Sequence, residues 1–410
     1  MSTELPSCDV AIIGGGPAGV AAALELRQRG HSVTILEREA ELGGVPRHCA
    51  HSPFGMREFG RVLFGPAYAR RLAVEARAAR VDILLRHSVT ALQPGGQLNI
   101  TTPDGTSSLS AKRVLLATGA REAPRSARLI SGGRPIGVIT TGTLQQAINL
   151  EGLRPMRRAL VVGTELVSFS ALLTCRSGGI NPIAMVDENP RLVARSVLGV
   201  YPWITGVPLH LGAKITDIHG RPRVEGVTLQ RVDGTSFDIS CDGIVLSGHF
   251  TAEGSLALCS HIDVDPGTGG PVVDQYARCS DPAYFAAGNM LHPVETGGWC
   301  FREGRQIGGL ISDDLAGRLP AAGGATRIVA GAGIRYVLPQ RITPAGPGGF
   351  GDFQLRVKEP LKSGIVMQHS GVSLWTRRRG LLPERRILAP LTAATGIRAG
   401  SDIIVQANED

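Results

Sequence analysis

Aromatic residues and clustered cysteines are scarce in this 410-residue sequence. Phe, Tyr and Trp together make up 4% of the residues, too few for the stacked platforms that bind single-stranded nucleic acids. The seven cysteines lie far apart, and none forms the Cys-x-x-Cys spacing of zinc, iron–sulfur or dithiol redox sites. We therefore expect no metal site, no intrinsic iron–sulfur cluster and mostly buried thiols in a reducing compartment.

Long hydrophobic runs are also missing. The most apolar run, residues 10–24, is rich in Gly and Ala and is shorter than the roughly 20 residues that a membrane span needs. No basic region precedes it and no cleavage site follows, so the sequence predicts no signal peptide. These features predict a cytoplasmic protein, with peripheral attachment to the inner membrane face left open.

The positive charge is concentrated at one end. The net charge is +8, and residues 326–410 carry twelve Lys and Arg against six Asp and Glu. This surplus is typical of a solvated basic face, and it also suits an acidic partner protein or an anionic membrane. No nucleic-acid recognition motif accompanies the charge, so we expect no nucleic-acid partner.

What the sequence has in abundance is glycine and the alternation of strands with helices. A chain of this length predicts two or three domains. The segment 9–37 reads as strand, helix and strand, and a second α/β pattern begins at Arg158. LPAAGGAT is a plausible linker to short strands separated by Pro and Gly turns. The predicted fold class is α/β, with two Rossmann-like nucleotide-binding domains and a small β-rich C-terminal domain.

The first strand–helix turn carries a dinucleotide-binding fingerprint. GGGPAG places Gly14, Gly16 and Gly19 in the G-x-G-x-x-G spacing, after a strand and at the start of a helix. The first glycine makes the turn, the second lets backbone approach a pyrophosphate, and the third lets the helix pack closely. Glu37, at the end of the next strand, suits ribose hydroxyls and disfavours a 2′-phosphate.

Three further segments favour FAD over a nicotinamide cofactor at this first site. Gly43 and Gly44 follow the ribose carboxylate in ELGG, where Arg47 adds a positive charge. The segment ATG, 117–119, ends a strand where the chain leaves the first domain. Gly288 and Asn289 precede a late helix whose N-terminus suits the negative charge that flavin gains on reduction.

These segments, in this order, resemble the FAD-dependent oxidoreductases with two dinucleotide-binding domains, the glutathione-reductase-like superfamily. The resemblance covers residues 8–315 and implies an FAD-binding domain at 1–123 and 250–318, an NAD(P)-type domain at 124–249 and a C-terminal domain at 326–410. The positions that it assigns to FAD are Gly14, Gly16, Pro17, Ala18, Gly19, Glu37, Arg38, Gly43, Gly44, Arg47, Val89, Ala117, Thr118, Gly119, Gly288 and Asn289.

Five longer stretches resemble one branch of that superfamily. They are GGVPRHC, REFGRVLFGPAYARRL, LLATGAREAPR, TTGTLQQ and VETGGWCFREGRQIGG. The branch contains FAD-carrying subunits of hydrogen cyanide synthase, opine oxidases and proline or hydroxyproline dehydrogenases. It implies an amine or amino-acid substrate and two partners, namely a small ferredoxin-like iron–sulfur protein and a second flavoprotein subunit. Many of its members have a C-terminal cysteine-rich segment, but residues 326–410 contain no cysteine.

The second α/β unit departs from the fingerprint. In VVGTELVSFS, Gly163 stands where the first glycine belongs, but Glu165 replaces the second and Ser168 the third. Two unit charges about 4 Å apart repel by roughly 4 kcal/mol at an effective dielectric near 20. Asp187 still suits a ribose. The sequence predicts a retained fold whose nicotinamide site is lost.

The candidate catalytic residues are His48, Cys49 and His51, in the loop after Gly44, and Glu295 and Trp299, before the late helix. A histidine there could accept a substrate proton or stabilise anionic reduced flavin. The competing interpretation is that these residues shape loops, cap the helix or meet a partner. Because no second cysteine stands close to Cys49, a dithiol relay is not expected.

Three functions remain open at this point. The first is an FAD-carrying subunit of a multi-subunit amine or amino-acid dehydrogenase, whose reaction removes a hydride from the carbon bearing nitrogen. The second is a self-contained flavoenzyme that passes electrons between its own substrate and oxygen, a quinone or NAD(P). The third is a structural or regulatory partner that binds FAD without turnover.

Overall fold

The structure is a computed structural model, and it describes residues 3–293, 295–343, 348–394, 396–397 and 400–408. Its N-terminal segment forms β1 (Thr3–Glu4), β2 (Cys8–Ile13), α1 (Pro17–Gln28), β3 (Val33–Glu37), α2 (Met56–Phe59), α3 (Gly65–Ala78), β4 (Asp82–Leu85), β5 (Ser88–Gln93), β6 (Gln97–Thr102), β7 (Gly105–Leu116) and β8 (Ala120–Glu122). Strands β4, β3, β2 and the end of β7 lie side by side and parallel. The start of β7 pairs antiparallel with β6, which pairs with β5.

The second segment repeats the parallel pattern. It contains β9 (Val138–Thr140), α4 (Thr141–Asn149), β10 (Arg158–Val162), α5 (Leu166–Ser177), β11 (Asn181–Asp187), α6 (Val200–Ile204), β12 (Leu209–Leu211), β13 (Ala213–His219), β14 (Gly226–Arg231), β15 (Ser236–Ser240) and β16 (Gly243–Leu246). Its parallel sheet has the order β12-β11-β10-β16-β9, and β13, β14 and β15 form an antiparallel meander.

Side chains of β10 alternate between the two faces of this second sheet, as the period of two in a strand requires. Ala159 and Val161 pack with Phe169 of α5 in one buried cluster. Leu160 packs with Val227 of the meander in another. The sheet is therefore covered by helices on one face and by the meander on the other.

The chain then returns to the first sheet. The third segment forms β17 (Phe250–Ala252), α7 (Ser255–Leu258), β18 (Tyr284–Ala286) and α8 (Gly297–Leu315). Strand β17 pairs with β8, and β18 pairs parallel with β7. Helix α8 packs along α1, where a Cβ on Gly304 would lie 2.1 Å from the carbonyl oxygen of Ala18 and one on Gly308 would lie 2.8 Å from that of Ala22.

The last segment consists of strands that form two sheets around their own apolar core. They are β19 (Thr326–Ala330), β20 (Ile334–Leu338), β21 (Arg341–Ile342), β22 (Asp352–Val357), β23 (Ile365–His369), β24 (Val372–Arg377), β25 (Ile387–Pro390) and β26 (Ile403–Ala407). The sheets have the orders β21-β19-β26-β23-β24 and β20-β22-β25. Phe353, Leu355, Ile365, Met367 and Val405 lie between them and are buried.

The predicted fold class is confirmed: two parallel α/β sheets are followed by a β-rich C-terminal region. The late helix starts at Gly297, so Trp299 lies in its first turn and not before the helix as the sequence predicted, because Gly297 and Gly298 adopt helical backbone angles. The exact domain limits stay a prediction. Within the described residues, no helix is long and apolar enough to cross a membrane, and no three His, Cys, Asp or Glu residues are grouped to hold a metal ion.

Candidate functional site

Three glycines shape the turn between β2 and α1, each for a different reason. Gly14 has a φ of +107°, and a Cβ there would lie 2.5 Å from the carbonyl oxygen of Ala117. A Cβ on Gly19 would lie 2.0 Å from the carbonyl oxygen of Gly14. Gly16 has φ −78° and ψ −174°, which suit any residue, and its Cβ would meet only the Cα of Gly44 at 4.0 Å. Gly16 therefore leaves an open space at a helix N-terminus, where phosphate binds well.

Glu37 lies beside this turn at the end of β3. Its carboxylate accepts hydrogen bonds from the backbone N–H of Gly15 at 2.8 Å and of Glu39 at 2.9 Å, and the residue is buried. A carboxylate has about four acceptor positions, so two remain for ribose hydroxyls. The side chain thus both fixes the turn and presents acceptors to it.

The second glycine pair lies against the first turn. The N–H of Gly43 donates to the carbonyl of Gly15 at 2.8 Å. Gly44 has a φ of +60°, and a Cβ there would lie 3.0 Å from the Cα of Gly16. The two loops meet backbone to backbone, which leaves no room for a side chain at Gly44.

Arg47, Arg38 and Val89 are the other residues near this turn that are predicted to contact FAD. The Nε of Arg47 is buried and has no hydrogen-bond partner among the described residues; the nearest carboxylate, that of Glu41, is 3.6 Å away. Arg38 is exposed beside Glu39, and Val89 lies on β5. A buried donor without a partner is costly, so an acceptor supplied by a ligand would stabilise Arg47.

The end of β7 adds a second open position. The N–H of Ala117 donates to the carbonyl of Ile13, which keeps this strand end beside β2. Thr118 Oγ1 donates to the carbonyl of Glu253 at 2.9 Å. Gly119 has a φ of +80°, and a Cβ there would meet no atom within 4 Å.

The turn before α8 reaches the start of α1. Gly288 has a φ of +71°, and a Cβ there would lie 2.8 Å from the Cβ of Ala18. Its N–H donates to a carboxylate oxygen of Glu303 at 2.7 Å. The Asn289 side chain exchanges hydrogen bonds with the backbone of Glu295, at 2.8 and 3.1 Å. The structure thus brings the predicted turn from late in the chain to the first glycine motif.

These residues fit FAD. Open space lies at Gly16 and Gly119, free acceptors remain on Glu37, and the buried Nε of Arg47 lacks a hydrogen-bond partner among the described residues. When bound, FAD supplies the electron-transfer chemistry. The chain would hold the pyrophosphate at the start of α1 and the ribose at Glu37.

The turn between β10 and α5 has the same backbone as the first turn. Gly163 has a φ of +117°, close to the +107° of Gly14. Glu165 has φ −71° and ψ 170°, close to the angles of Gly16. Because neither Gly16 nor Glu165 needs a positive φ, the substitution leaves the fold of the turn intact.

The carboxylate of Glu165 fills the space over this second turn. One oxygen lies 2.5 Å from where a Cβ on Gly163 would be, and the other lies 2.2 Å from where a Cβ on Gly248 would be. Ser168 Oγ donates to it at 3.0 Å. Gly248 follows β16 as Gly119 follows β7, but the space beside Gly119 is open.

Burial raises the pKa of Glu165 to about 7, and the nearby Asp187 contributes in the same direction. Near neutral pH the side chain is therefore divided between a charged and a neutral form. The charged form would repel a phosphate. Both forms occupy the same volume, so the obstruction does not depend on the charge.

Asp187 corresponds to Glu37 but is more fully engaged. One carboxylate oxygen accepts from the backbone and side-chain nitrogens of Asn189, both at 2.8 Å, and the other accepts from Thr164 Oγ1 at 2.5 Å. Three bonds to the chain itself leave one acceptor position for a ribose.

The sequence profile of the pyridine nucleotide-disulphide oxidoreductases matches residues 8–305. The chain belongs to this family. The superfamily inferred from the sequence motifs is thereby confirmed.

Two curated relatives resemble most of the chain. An opine oxidase subunit of Rhizobium meliloti is 23% identical over 346 residues, which cover 76% of this chain and 61% of that relative. The small chain of NADPH glutamate synthase of Mycobacterium tuberculosis is 24% identical over 362 residues, which cover 78% of this chain and 69% of that relative. Among three matching opine oxidase subunits, the match spans 36% to 61% of their length, less than two thirds.

Two solved structures share the fold. Thioredoxin reductase of T. acidophilum superposes with a TM-score of 0.62 at 22% identity, covering 76% of this chain and 99% of that one. L-proline dehydrogenase of P. horikoshii superposes with a TM-score of 0.56 at 21% identity, covering 77% of this chain and 57% of that one.

Of the three candidates after the glycine pair, His48 and Cys49 are buried and His51 is partly buried. Burial raises the pKa of Cys49 to about 12, and its thiol donates to Gln145 Oε1 at 3.4 Å. Burial and the charge of Arg47 lower the pKa of His48 to about 4. Burial also lowers the pKa of His51, which packs on Phe54. A protonated thiol and neutral imidazoles are the resting states, so Cys49 is not a thiolate nucleophile in this arrangement.

Glu295 and Trp299 face arginines from the C-terminal region. Glu295 pairs with Arg356 at 3.2 Å, and both side chains are buried. Arg386 lies over the Trp299 ring, 4.1 Å from its centroid. These contacts favour the structural interpretation of Glu295. The catalytic assignment of both residues stays a prediction.

Sequence reasoning missed Glu303, whose buried carboxylate bonds to Gly288 and to His292 Nε2 at 2.6 Å. Burial lowers the pKa of His292, but the Glu303 carboxylate outweighs that effect and the net shift is upward. The available signal was an acidic residue in FREGRQIGG on the helix face that also carries Cys300, Gly304 and Ile307. Its partner lies eleven residues away, which no local motif encodes.

Proposed function

We propose that this protein is the FAD-carrying subunit of a multi-subunit amine or amino-acid dehydrogenase of the proline, hydroxyproline or opine type. The observation that carries the proposal is the carboxylate of Glu165 between Gly163 and Gly248. This obstruction of the second turn argues against NAD(P)H as the electron donor. The electrons would then come from an organic substrate through a partner.

Two further observations support this proposal. The opine oxidase relative is, by its name, one subunit of a larger enzyme, and it matches 76% of this chain. No pair of cysteines among the described residues forms a disulfide, and Cys49 is buried with a raised pKa. A dithiol relay of the kind that acts on disulfide substrates therefore has no support.

The roles of the chain's own residues follow from the first site. The start of α1 and Arg47 would bind the pyrophosphate, and Glu37 the ribose. The N-terminus of α8 would favour the negative charge that the flavin gains on reduction. The proposed partners are a second flavoprotein subunit, which oxidises the C–N bond, and a small ferredoxin-like iron–sulfur protein. The proposed location is the cytoplasm, with peripheral membrane association through the basic region as an option.

The test is anaerobic reduction of the purified yellow chain, followed at the flavin absorption band. NADH and NADPH should leave the band unchanged, and amino acids should bleach it only when a co-purified partner is present. A Glu165→Gly variant should gain reduction by NADH or NADPH because the obstruction is removed. Glu151→Gly, at an exposed position of the same segment, is the matched control. Rapid bleaching of the unaltered chain by either nucleotide would refute the proposal.

A second candidate is a self-contained flavoenzyme that exchanges electrons with NAD(P), oxygen or a quinone. The resemblance to a small chain named for NADPH, over 69% of its length, favours it. Bleaching of the isolated chain by NADPH, or by an amino acid with no partner present, would support this candidate instead.

A further inference from the structure

Trp299, in the first turn of α8, is surrounded by guanidinium groups from three parts of the chain. The Cζ atoms lie 4.1 Å from the ring centroid for Arg386, 4.6 Å for Arg57 and 5.0 Å for Arg302. Arg57 comes from α2, Arg302 from α8 and Arg386 from the C-terminal region. Helix geometry places Arg302 next to Trp299, and the tertiary fold adds Arg57 and Arg386.

Carboxylates do not balance these charges. Glu295 faces Arg356 at 3.2 Å and Arg386 at 3.8 Å, so one carboxylate serves two guanidinium groups. For Arg57 and Arg302, no carboxylate of the residues that the structure describes lies at ion-pair distance. Both of these arginines are exposed.

Glu58, the acidic residue that follows Arg57 in sequence, is engaged with another side chain. Glu58 accepts a hydrogen bond from the hydroxyl of Tyr68 at 2.6 Å. Even with Glu58 counted, the cluster has an excess of positive charge. It contains four guanidinium groups and two carboxylates, and the N-terminus of α8 adds positive potential. These groups belong to Arg57, Arg302, Arg356, Arg386, Glu58 and Glu295.

An aromatic face attracts each cation, but it does not cancel the repulsion among three of them. An oxyanion bound among the guanidinium groups would cancel this repulsion. The planar fork of arginine matches the geometry of carboxylate and phosphate oxygens. The Trp299 ring holds the forks in place before a ligand arrives, which reduces the entropy lost on binding.

We propose that Arg57, Arg302 and Arg386, arranged around Trp299, form a binding site for a small oxyanion, a carboxylate or a phosphate. Arg57 and Arg302 form the open side through which the anion enters. Arg386, held by Glu295, forms the inner side. The site does not depend on which molecule reduces the flavin, so it stands apart from the proposed function.

The experiment uses the fluorescence of Trp299 in a Trp203→Phe, Trp375→Phe background, where it is the one tryptophan of the three that remains. Inorganic phosphate, succinate and chloride are titrated at constant ionic strength. Phosphate or succinate should give a saturable change and chloride should not. Saturation by phosphate alone assigns a phosphate ligand, and saturation by succinate alone assigns a carboxylate; either result supports the site.

Arg302→Gln should weaken the binding by about tenfold, and Arg302→Lys by less, because lysine keeps the charge but loses the fork. Arg61→Gln removes one exposed charge just after α2, and Arg61 has no cation–π contact with Trp299, so it should leave the affinity unchanged. In parallel, phosphate or succinate should raise the melting temperature of the unaltered chain more than that of Arg302→Gln. This second measurement does not depend on the tryptophan substitutions.

Three results would overturn the proposal. One is a response that chloride reproduces. Another is an equal loss of affinity in Arg61→Gln and Arg302→Gln, which would mean a diffuse charge effect. The third is binding of polyglutamate with no binding of either small anion, which would mean a docking surface for an acidic polypeptide.

Discussion

The two glycine turns of this protein differ at two fingerprint positions, where Glu165 and Ser168 replace the second and third glycines. Gly16 and Glu165 occupy equivalent positions with nearly the same φ and ψ. At Gly16 the missing side chain leaves open space, whereas at Glu165 the carboxylate lies over the glycines on both sides. The Glu165 side chain therefore reduces the space over the second turn, with the backbone angles at this position unchanged.

Gly16→Ala should lower the affinity for FAD while the apoprotein keeps its stability, because the backbone there suits alanine and the new methyl group faces the open space. The expected change in unfolding free energy of the apoprotein is within about 0.5 kcal/mol. Gly19→Ala is the comparison: its Cβ would lie 2.0 Å from a carbonyl oxygen, which should cost about 1–3 kcal/mol. Flavin content and urea unfolding of the apoproteins measure both effects. Full flavin content in Gly16→Ala would contradict this account of the site.

Glu165 should make stability depend on pH. Its pKa is raised from 4.5 to about 7 by burial. Between these values the folded chain keeps a proton that the unfolded chain has released, so rising pH weakens folding across this window. After a reduction for the partial exposure of this side chain, the free energy of unfolding should fall by about 2 kcal/mol across this window.

Glu165→Gln removes the titration and should therefore be more stable than the unaltered chain at pH 8, with little difference at pH 4.5. Urea midpoints at the two pH values measure the difference. Glu151→Gln, at an exposed site, should show no such trend. An equal stability difference at both pH values would contradict a raised pKa at Glu165.

At the scale of elements, the contact between α1 and α8 shapes the first site. Gly304 and Gly308 face the backbone of Ala18 and Ala22, so the helices approach without intervening side chains. This packing sets the turn at Gly288 against the start of α1. The cofactor site thus depends on the spacing of two helices that are distant in sequence.

Gly304→Ala should destabilise the protein by about 2 kcal/mol or more, because its Cβ would lie 2.1 Å from a backbone oxygen that cannot move independently. Gly309→Ala, on the same helix, meets the flexible end of Arg29 at 3.1 Å. It should be neutral, or more stable by up to about 1 kcal/mol from helix propensity. Chemical denaturation and flavin content of both variants test this. Equal effects would mean that α1 and α8 are not in close contact.

At the scale of the whole molecule, the C-terminal sheets are joined to both α/β units. Arg356 pairs with Glu295 in the first, and Glu384 forms a two-pronged pair with Arg191 in the second, at 3.0 and 3.1 Å. The loop after Gly44 also contacts the second unit, because Asn149 Nδ2 donates to the carbonyl of His48 at 2.6 Å. All three regions are therefore in direct polar contact.

The two ion pairs should differ in their contributions to stability. Glu295→Ala leaves Arg356 buried without its partner, which should cost about 3–5 kcal/mol. Glu384→Ala breaks a pair whose arginine is partly exposed, which should cost about 1 kcal/mol or less. Guanidinium unfolding of both variants measures the difference. A larger cost for Glu384→Ala would show that burial does not determine the strength of these pairs.

The sequence by itself determined the local features. Glycines at fixed spacing, apolar strands and the acidic residue at the end of β3 predicted two α/β units and identified the family, because turns and strand periodicity depend on a few consecutive residues. The same reasoning marked Glu165 as out of place from its position in the motif alone.

Only the tertiary structure decided the rest. It showed that the carboxylate of Glu165 turns back over its own turn, that Glu303 supports Gly288 and that Arg57 and Arg386 approach Trp299. It also placed Cys49 in the interior. Each of these depends on how helices and sheets pack, which brings together residues far apart in the chain, and no local pattern of amino acids encodes where such side chains meet.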